Sequence, residues 1–153
     1  MPKVDLSKAS VRTTSAYPQV FKRIVEDRAK QVLGDAVGLT QFGVNLTKLK
    51  PGAASALRHW HEKEDEFIYI VSGEAVLIED GGETILKAGE AAGFPAGIKN
   101  GHHLVNRSAR DVVYLEIGSR LKGEIAHYPD DDLAMRRDAN DKLIFTRKSG
   151  EDY

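Results

Sequence analysis

Four of the chain's five histidines fall in two short segments, His59-Trp60-His61 and His102-His103. In an extended strand, residues two apart share a face, so His59 and His61 aim their imidazoles into one volume while Arg58 and Trp60 face away. That spacing suits a pair of metal ligands. The acidic run Glu62-Lys63-Glu64-Asp65-Glu66 comes directly after. A short turn or bulge would let the next strand, Glu66 to Val71, return a carboxylate to the same volume, with Glu66 or Glu64 as its source. Imidazole nitrogen and carboxylate oxygen together suit first-row divalent cations.

Positioning these groups requires short strands, and the sequence supplies them. Phe42, Val44 and Leu46 alternate with Gly43, Asn45 and Thr47, the period of two expected of a sheet with one buried face. Lys50-Pro51-Gly52, Ser72-Gly73-Glu74, Asp80-Gly81-Gly82 and Gly89-Glu90 divide the downstream chain into antiparallel hairpins. Ala91–Phe94 and His102–Asn106 read as short strands. Asp111–Ser119 reads as a longer one, with Val112, Tyr114, Glu116 and Gly118 on one face and Val113, Leu115 and Ile117 on the other. Many short strands with almost no strong helix indicate an all-β sandwich or barrel, of jelly-roll or immunoglobulin type.

The flanks differ in composition. Residues 1–38 lack a sustained period and read as an arm, either an edge strand or a wrap across a partner, with Tyr17-Pro18 extended. Lys22 to Leu33, ended by Gly34, also has the pattern of a short charged helix. Residues 121–153 form a charged extension, yet Leu133, Met135, Leu143, Ile144 and Phe145 are too many large apolar groups for a disordered tail. We expect Lys142 to Arg147 to pack as a strand or against a neighbouring subunit. Asp130-Asp131-Asp132 reads as a solvated turn after Tyr128-Pro129.

At 153 residues the chain has the length of one domain, with residues 39–120 as its core. Its 22 basic and 23 acidic residues balance, which gives no electrostatic footprint for nucleic acid or an anionic membrane. Cysteine is absent, so neither disulfides nor thiolate ligands are available. No apolar run approaches the ~18 residues of a membrane span. We expect a soluble, cytoplasmic protein that binds neither nucleic acid nor membrane.

The stretch Gly52, six residues, His59-x-His61, four residues, Glu66, six residues, Gly73 resembles the first signature of the cupin superfamily, whose usual form has five residues after the first glycine. Gly89, five residues, Pro95-x-Gly97, four residues, His102, three residues, Asn106 resembles the second, with two residues more than usual before the histidine. The resemblance covers residues 40 to 118. It implies a cupin double-stranded β-helix, an antiparallel jelly-roll barrel, with a metal held by His59, His61, Glu66 and His102 near one mouth. Glu66 is preferred to Glu64 because its distance from Gly73 reproduces the signature. Strand parity allows only one of His102 and His103 to face inward, and His102 shares its face with Asn106.

Such a set would hold one divalent first-row ion (manganese, iron, nickel, zinc or cobalt). It leaves two octahedral positions for water, dioxygen or the oxygens of a small metabolite. The resemblance implies a metal-dependent enzyme acting on a hydroxy acid, keto acid or sugar derivative, of dioxygenase, decarboxylase or isomerase type. Its alternative is a non-catalytic metal-dependent binding or sensor module. A homodimer formed through sheet edges is expected. Tyr69, Asn45, Gln41 and Asn106 are candidates for lining the cavity; Trp60 and Tyr69 also read as packing aromatics, and His127 as structural.

Overall fold

The computed structural model describes residues 3–153; Met1 and Pro2, where the expected arm begins, lie outside them. Among the described residues the chain forms β1 (Val11–Arg12), β2 (Arg28–Val32), β3 (Phe42–Leu49), β4 (Trp60–His61), β5 (Glu66–Ser72), β6 (Glu74–Glu79), β7 (Gly82–Lys87), β8 (Ala91–Phe94), β9 (His103–Val105), β10 (Val112–Ser119), β11 (Ile125–His127), β12 (Ala134–Arg137) and β13 (Leu143–Thr146). Three short 3-10 helices precede β3. No helix among these residues is long and apolar enough to cross a membrane.

The strands make three antiparallel sheets, in the orders β1-β2-β3-β10-β5-β8, β13-β12-β11-β4 and β7-β6-β9. The inward faces of the first and third enclose the main core: Leu49, Ile68, Ile70, Ala75, Leu77, Leu86, Leu104, Val112 and Tyr114. This is the antiparallel jelly-roll architecture expected from the strand pattern. A second cluster joins the arm to the four-stranded sheet through Tyr17, Val25, Leu57, Ala126, Tyr128, Leu133 and Met135. Gly73, between β5 and β6, has φ 78°, and a Cβ there would lie 2.7 Å from the Asp111 carbonyl oxygen. Only glycine tolerates both the left-handed backbone and that approach.

The charged helix over Lys22 to Leu33 does not form. A 3-10 segment, Gln19–Val25, ends before Asp27, and the rest becomes β2, paired with β3 from Arg28↔Leu49 to Val32↔Asn45. Pairing satisfies the backbone groups that β3 would otherwise expose at its edge. Within the extension, Leu143–Thr146 pairs with β12, and Phe145 packs edge-on against Tyr17 with ring centroids 5.4 Å apart. In the acidic triplet, Asp130 accepts from Arg58 at 2.7 and 2.8 Å, and Asp132 accepts the Lys148 N–H at 2.9 Å.

Candidate metal centre

Two backbone contacts build the histidine cluster. His59 and His102 exchange reciprocal N–H to carbonyl hydrogen bonds of 3.2 and 2.9 Å, and β4 pairs with β11 so that His61 lies opposite Ala126. The neighbouring sheet contributes Glu66, the first residue of β5. The four side chains converge: Glu66 Oε2 lies 3.0 Å from His102 Nε2, 3.7 Å from His61 Nε2 and 4.0 Å from His59 Nε2. All four are largely buried.

Two of the three rings are held from behind by hydrogen bonds. His59 Nδ1 donates to the Leu57 carbonyl at 2.8 Å, which leaves its Nε2 lone pair facing the cluster. His61 Nδ1 lies 3.3 Å from Glu124 Oε1, an outer carboxylate behind an inner imidazole, as is common at metal sites. Glu124 is fully buried and is fixed by the N–H groups of Glu62 and Lys63, both at 3.0 Å. His102 stacks on Phe94 with centroids 3.6 Å apart; its Nδ1 is buried without a partner, so the stack and the 3.0 Å contact of Nε2 with Glu66 orient this ring.

The electrostatics favour a cation. Burial, reinforced by the neighbouring His61 and His102, drives His59 down to about 3 and keeps it a neutral donor. Burial would raise the Glu66 carboxyl, but the His102 hydrogen bond and the surrounding imidazoles hold it below its ordinary value. His59, His61 and Glu66 each bring a ligand atom within 4.8 Å of the others, a group whose nitrogen and oxygen donors suit a first-row divalent ion, while His102 joins it through Glu66.

The cluster lines a cavity of about 310 Å³. Its wall includes Arg28 and Lys30 from β2, Gly43 and Asn45 from β3, Tyr114, Glu116 and Gly118 from β10, and Glu64. Gly43 pairs with Gly118, which pairs with Glu66; the Arg120 guanidinium lies over Gly43 and belongs to the cavity wall. Glu64 Oε1 accepts the Leu121 N–H at 2.8 Å. Its carboxyl is raised by burial, and further by the charge of Glu124, against the opposing Leu121 hydrogen bond.

Of the other cavity candidates, only Asn45 lines the space. Tyr69 has inverse parity and stands 41% exposed on the outer face. Gln41 is exposed before β3. Asn106 is fully buried, but its Nδ2 donates to the Leu49 and Arg110 carbonyls at 2.9 and 2.8 Å and ties a turn instead. His103 faces away from the cluster and lies 2.9 Å from the Ala56 carbonyl. His127 stacks on Trp60, centroids 4.3 Å apart. Sequence reasoning passed over Glu124, Arg28 and Lys30; the inward parity of the last two was the available signal.

A cupin-domain family model matches residues 45–118. Among solved structures, a sugar phosphate isomerase of the cupin superfamily from Silicibacter pomeroyi is 43% identical, with 99% of this chain and 96% of that chain covered and a TM-score of 0.94. A protein from Acidithiobacillus ferrooxidans, provisionally named a sugar phosphate isomerase, is 30% identical over 80% of this chain and 77% of that chain, TM-score 0.74. A predicted oxalate decarboxylase from Thermotoga maritima, 24% identical over 78% of this chain and 100% of that chain, shares the fold at a TM-score of 0.62. No curated protein matches the sequence.

Proposed function

The chain belongs to the cupin superfamily, and on that premise we propose that it is a metal-dependent isomerase interconverting the aldose and ketose forms of a small sugar phosphate. The observation that carries this reading is the convergence of His59, His61 and His102 on Glu66 at the wall of a cavity that also holds Glu64 and basic side chains. The names of the two relatives at 43% and 30% identity support the substrate class.

His59, His61, Glu66 and His102 would hold the ion. When bound, one divalent first-row ion supplies positive charge that stabilises the oxyanion developing at the sugar's carbonyl oxygen. Glu64 takes the proton from the carbon beside the carbonyl and returns it to the former carbonyl carbon. The hydroxyl proton passes in the same sense, from the oxygen that becomes the new carbonyl to the former carbonyl oxygen, so no outside oxidant or reductant is needed. With Oε1 fixed by Leu121, Oε2 remains for this exchange, and the raised carboxyl brings the base closer to working pH. Phe94 against His102 and Tyr128 against His59 exclude water from the backs of the rings.

The proposal includes a homodimer, since Phe67, Tyr69 and Val71 stand exposed on the outer face of β5, an apolar row of the kind that association covers. A cytoplasmic setting follows from the substrate class. Elemental analysis of protein purified without chelator, then an assay over a panel of aldose and ketose phosphates, tests the whole reading. We expect one divalent ion per chain and interconversion of one pair. Glu64→Gln should cut turnover by about 10² to 10⁴ at unchanged metal content. Tight binding of a panel member without turnover would instead assign a non-catalytic binding module.

A further inference from the structure

We propose that Arg28, Lys30 and Tyr114 form the subsite that takes the phosphoryl group of the substrate; the inference deepens the sugar-phosphate reading and rests on it. Arg28 and Lys30 share the inward face of β2 with Val32, which is 2% exposed, and both line the cavity. Pairing places Lys30 beside Thr47 and Thr47 beside Tyr114. The three residues therefore form one rung across the sheet.

Three features of this rung and of Arg28, which is one rung further from the mouth beside Leu49, call for an oxyanion. The hydroxyls of Tyr114 and Thr47 are buried facing one another, and neither makes a well-formed hydrogen bond, so the pair has donor and acceptor capacity to spare. Among the described residues Arg28 has no carboxylate within ion-pair distance; its one fixed contact is Nη1 to the Ser55 carbonyl, which leaves most of a five-donor fork free. Lys30 is anchored at 2.7 Å by Glu116, which also accepts from Asn45 Nδ2 at 3.2 Å. Glu116 offsets the lysine charge, so the guanidinium remains the uncompensated cation. A phosphoryl dianion could accept from the Arg28 fork and the Tyr114 hydroxyl together.

The spacing suits a sugar chain. Tyr114 lies four residues from Gly118 along β10, on the order of 13 Å at the rise of a strand, and Gly118 is the partner of Glu66. Lys30 leans one rung toward the mouth to reach Glu116, which shortens the gap to about 7 Å. Gly43 and Gly118 add no side chain of their own to that gap, and the Arg120 guanidinium that lies over Gly43 is paired with Asp35. An open-chain pentose or hexose phosphate with its carbonyl end at the histidines would reach this subsite with its phosphoryl end.

Calorimetry on the metal-loaded chain tests the inference, with inorganic phosphate, a pentose phosphate, the parent pentose and the corresponding aldonic acid as probes. We expect the pentose phosphate to bind at least about tenfold more tightly than the pentose. Arg28→Met should weaken phosphate and pentose phosphate by about 10- to 100-fold, leaving metal content and affinity for the pentose unchanged. Tyr114→Phe should weaken them severalfold. Should Arg28→Met not fold, Arg28→Lys, which keeps charge but loses the fork, should give an intermediate loss. Wild-type affinity in the arginine variants, preference for the aldonic acid, or failure of wild-type protein to bind either phosphorylated probe would overturn the subsite. Arg28-dependent phosphate binding without isomerisation would remove the proposed function and leave the subsite standing. Isomerisation with an unchanged KM in Arg28→Met would do the reverse.

Discussion

The floor and the mouth of the barrel are built on the same strands, yet they have opposite chemistry. Along the inward face, β3 runs from Leu49 and Thr47 to Asn45 and Gly43, β10 from Val112 and Tyr114 to Glu116 and Gly118, and β5 from Ile70 and Ile68 to Glu66. At the floor, Leu49, Ile70 and Val112 are fully buried among apolar neighbours. At the mouth, the same parity presents carboxylates, an amide and glycines to a cavity. Strand period therefore decides which residues face inward, and position along the strand decides what they do there. Stability concentrates at the floor and the metal-ligating groups at the mouth, with Tyr114, a core residue that also lines the cavity, between the two.

Paired truncations break this division if it is wrong. Ile70→Ala should destabilise the protein by about 2–5 kcal/mol through lost burial and the cavity left behind. His59→Ala should abolish metal uptake while the metal-free protein loses under about 2 kcal/mol. Chemical denaturation and metal analysis of both variants give the comparison. Unfolding of His59→Ala to the extent seen for Ile70→Ala would make the histidine cluster part of the structural core.

The next effect is smaller and sharpens the mouth alone. Glu124 holds His61 from behind and is itself fixed by two backbone N–H groups, so it positions a ring rather than contacting a ligand. Glu124→Gln keeps the volume but weakens that hold, and metal affinity should fall about 10- to 100-fold with thermal stability nearly unchanged. Competition with a chelator measures this. A large drop in thermal stability with unchanged metal affinity would mean that Glu124 serves only to tie the Glu62-Lys63 turn.

The same contrast between floor and mouth explains how much was legible in the sequence. The period of two separated the two faces of β3 and β10 but misled on which is inward in β3, where Thr47, Asn45 and Gly43 face the interior and Phe42 is exposed; the histidine spacing revealed that His59 and His61 share a volume, which the structure joins to Glu66. Glu124 was hidden because it meets His61 across 63 positions, and no local pattern records such a contact. Arg28 and Lys30 were hidden for a different reason. Charged residues facing inward invert the usual alternation, so β2 carried the pattern of a charged helix. Tyr69 was offered to the cavity on its chemistry alone, although its parity with Phe67 and Val71 places it outside.

Acid offers the mildest comparison between the two regions. Buried His59 takes up a proton only near about 3 in the folded protein, whereas in the unfolded chain an imidazole does so near about 6.5. Below that higher value the unfolded state binds more protons, so stability falls as pH falls, and above it the contribution is complete and flat. Metal-free protein should lose about 1 kcal/mol through His59 between about pH 7 and about pH 5.5. His103, held below its ordinary value by burial, acts in the same direction. Glu66, also held down, adds its loss only lower, in the carboxylate range. Denaturation series on wild type, His59→Gln and His103→Gln separate these contributions, and His59→Gln should flatten the upper part of the profile. Floor variants such as Ile70→Ala should shift the whole profile down without changing its slope. A slope unchanged in His59→Gln would mean that the imidazole is solvated and that the mouth lacks the dry character a neutral donor requires.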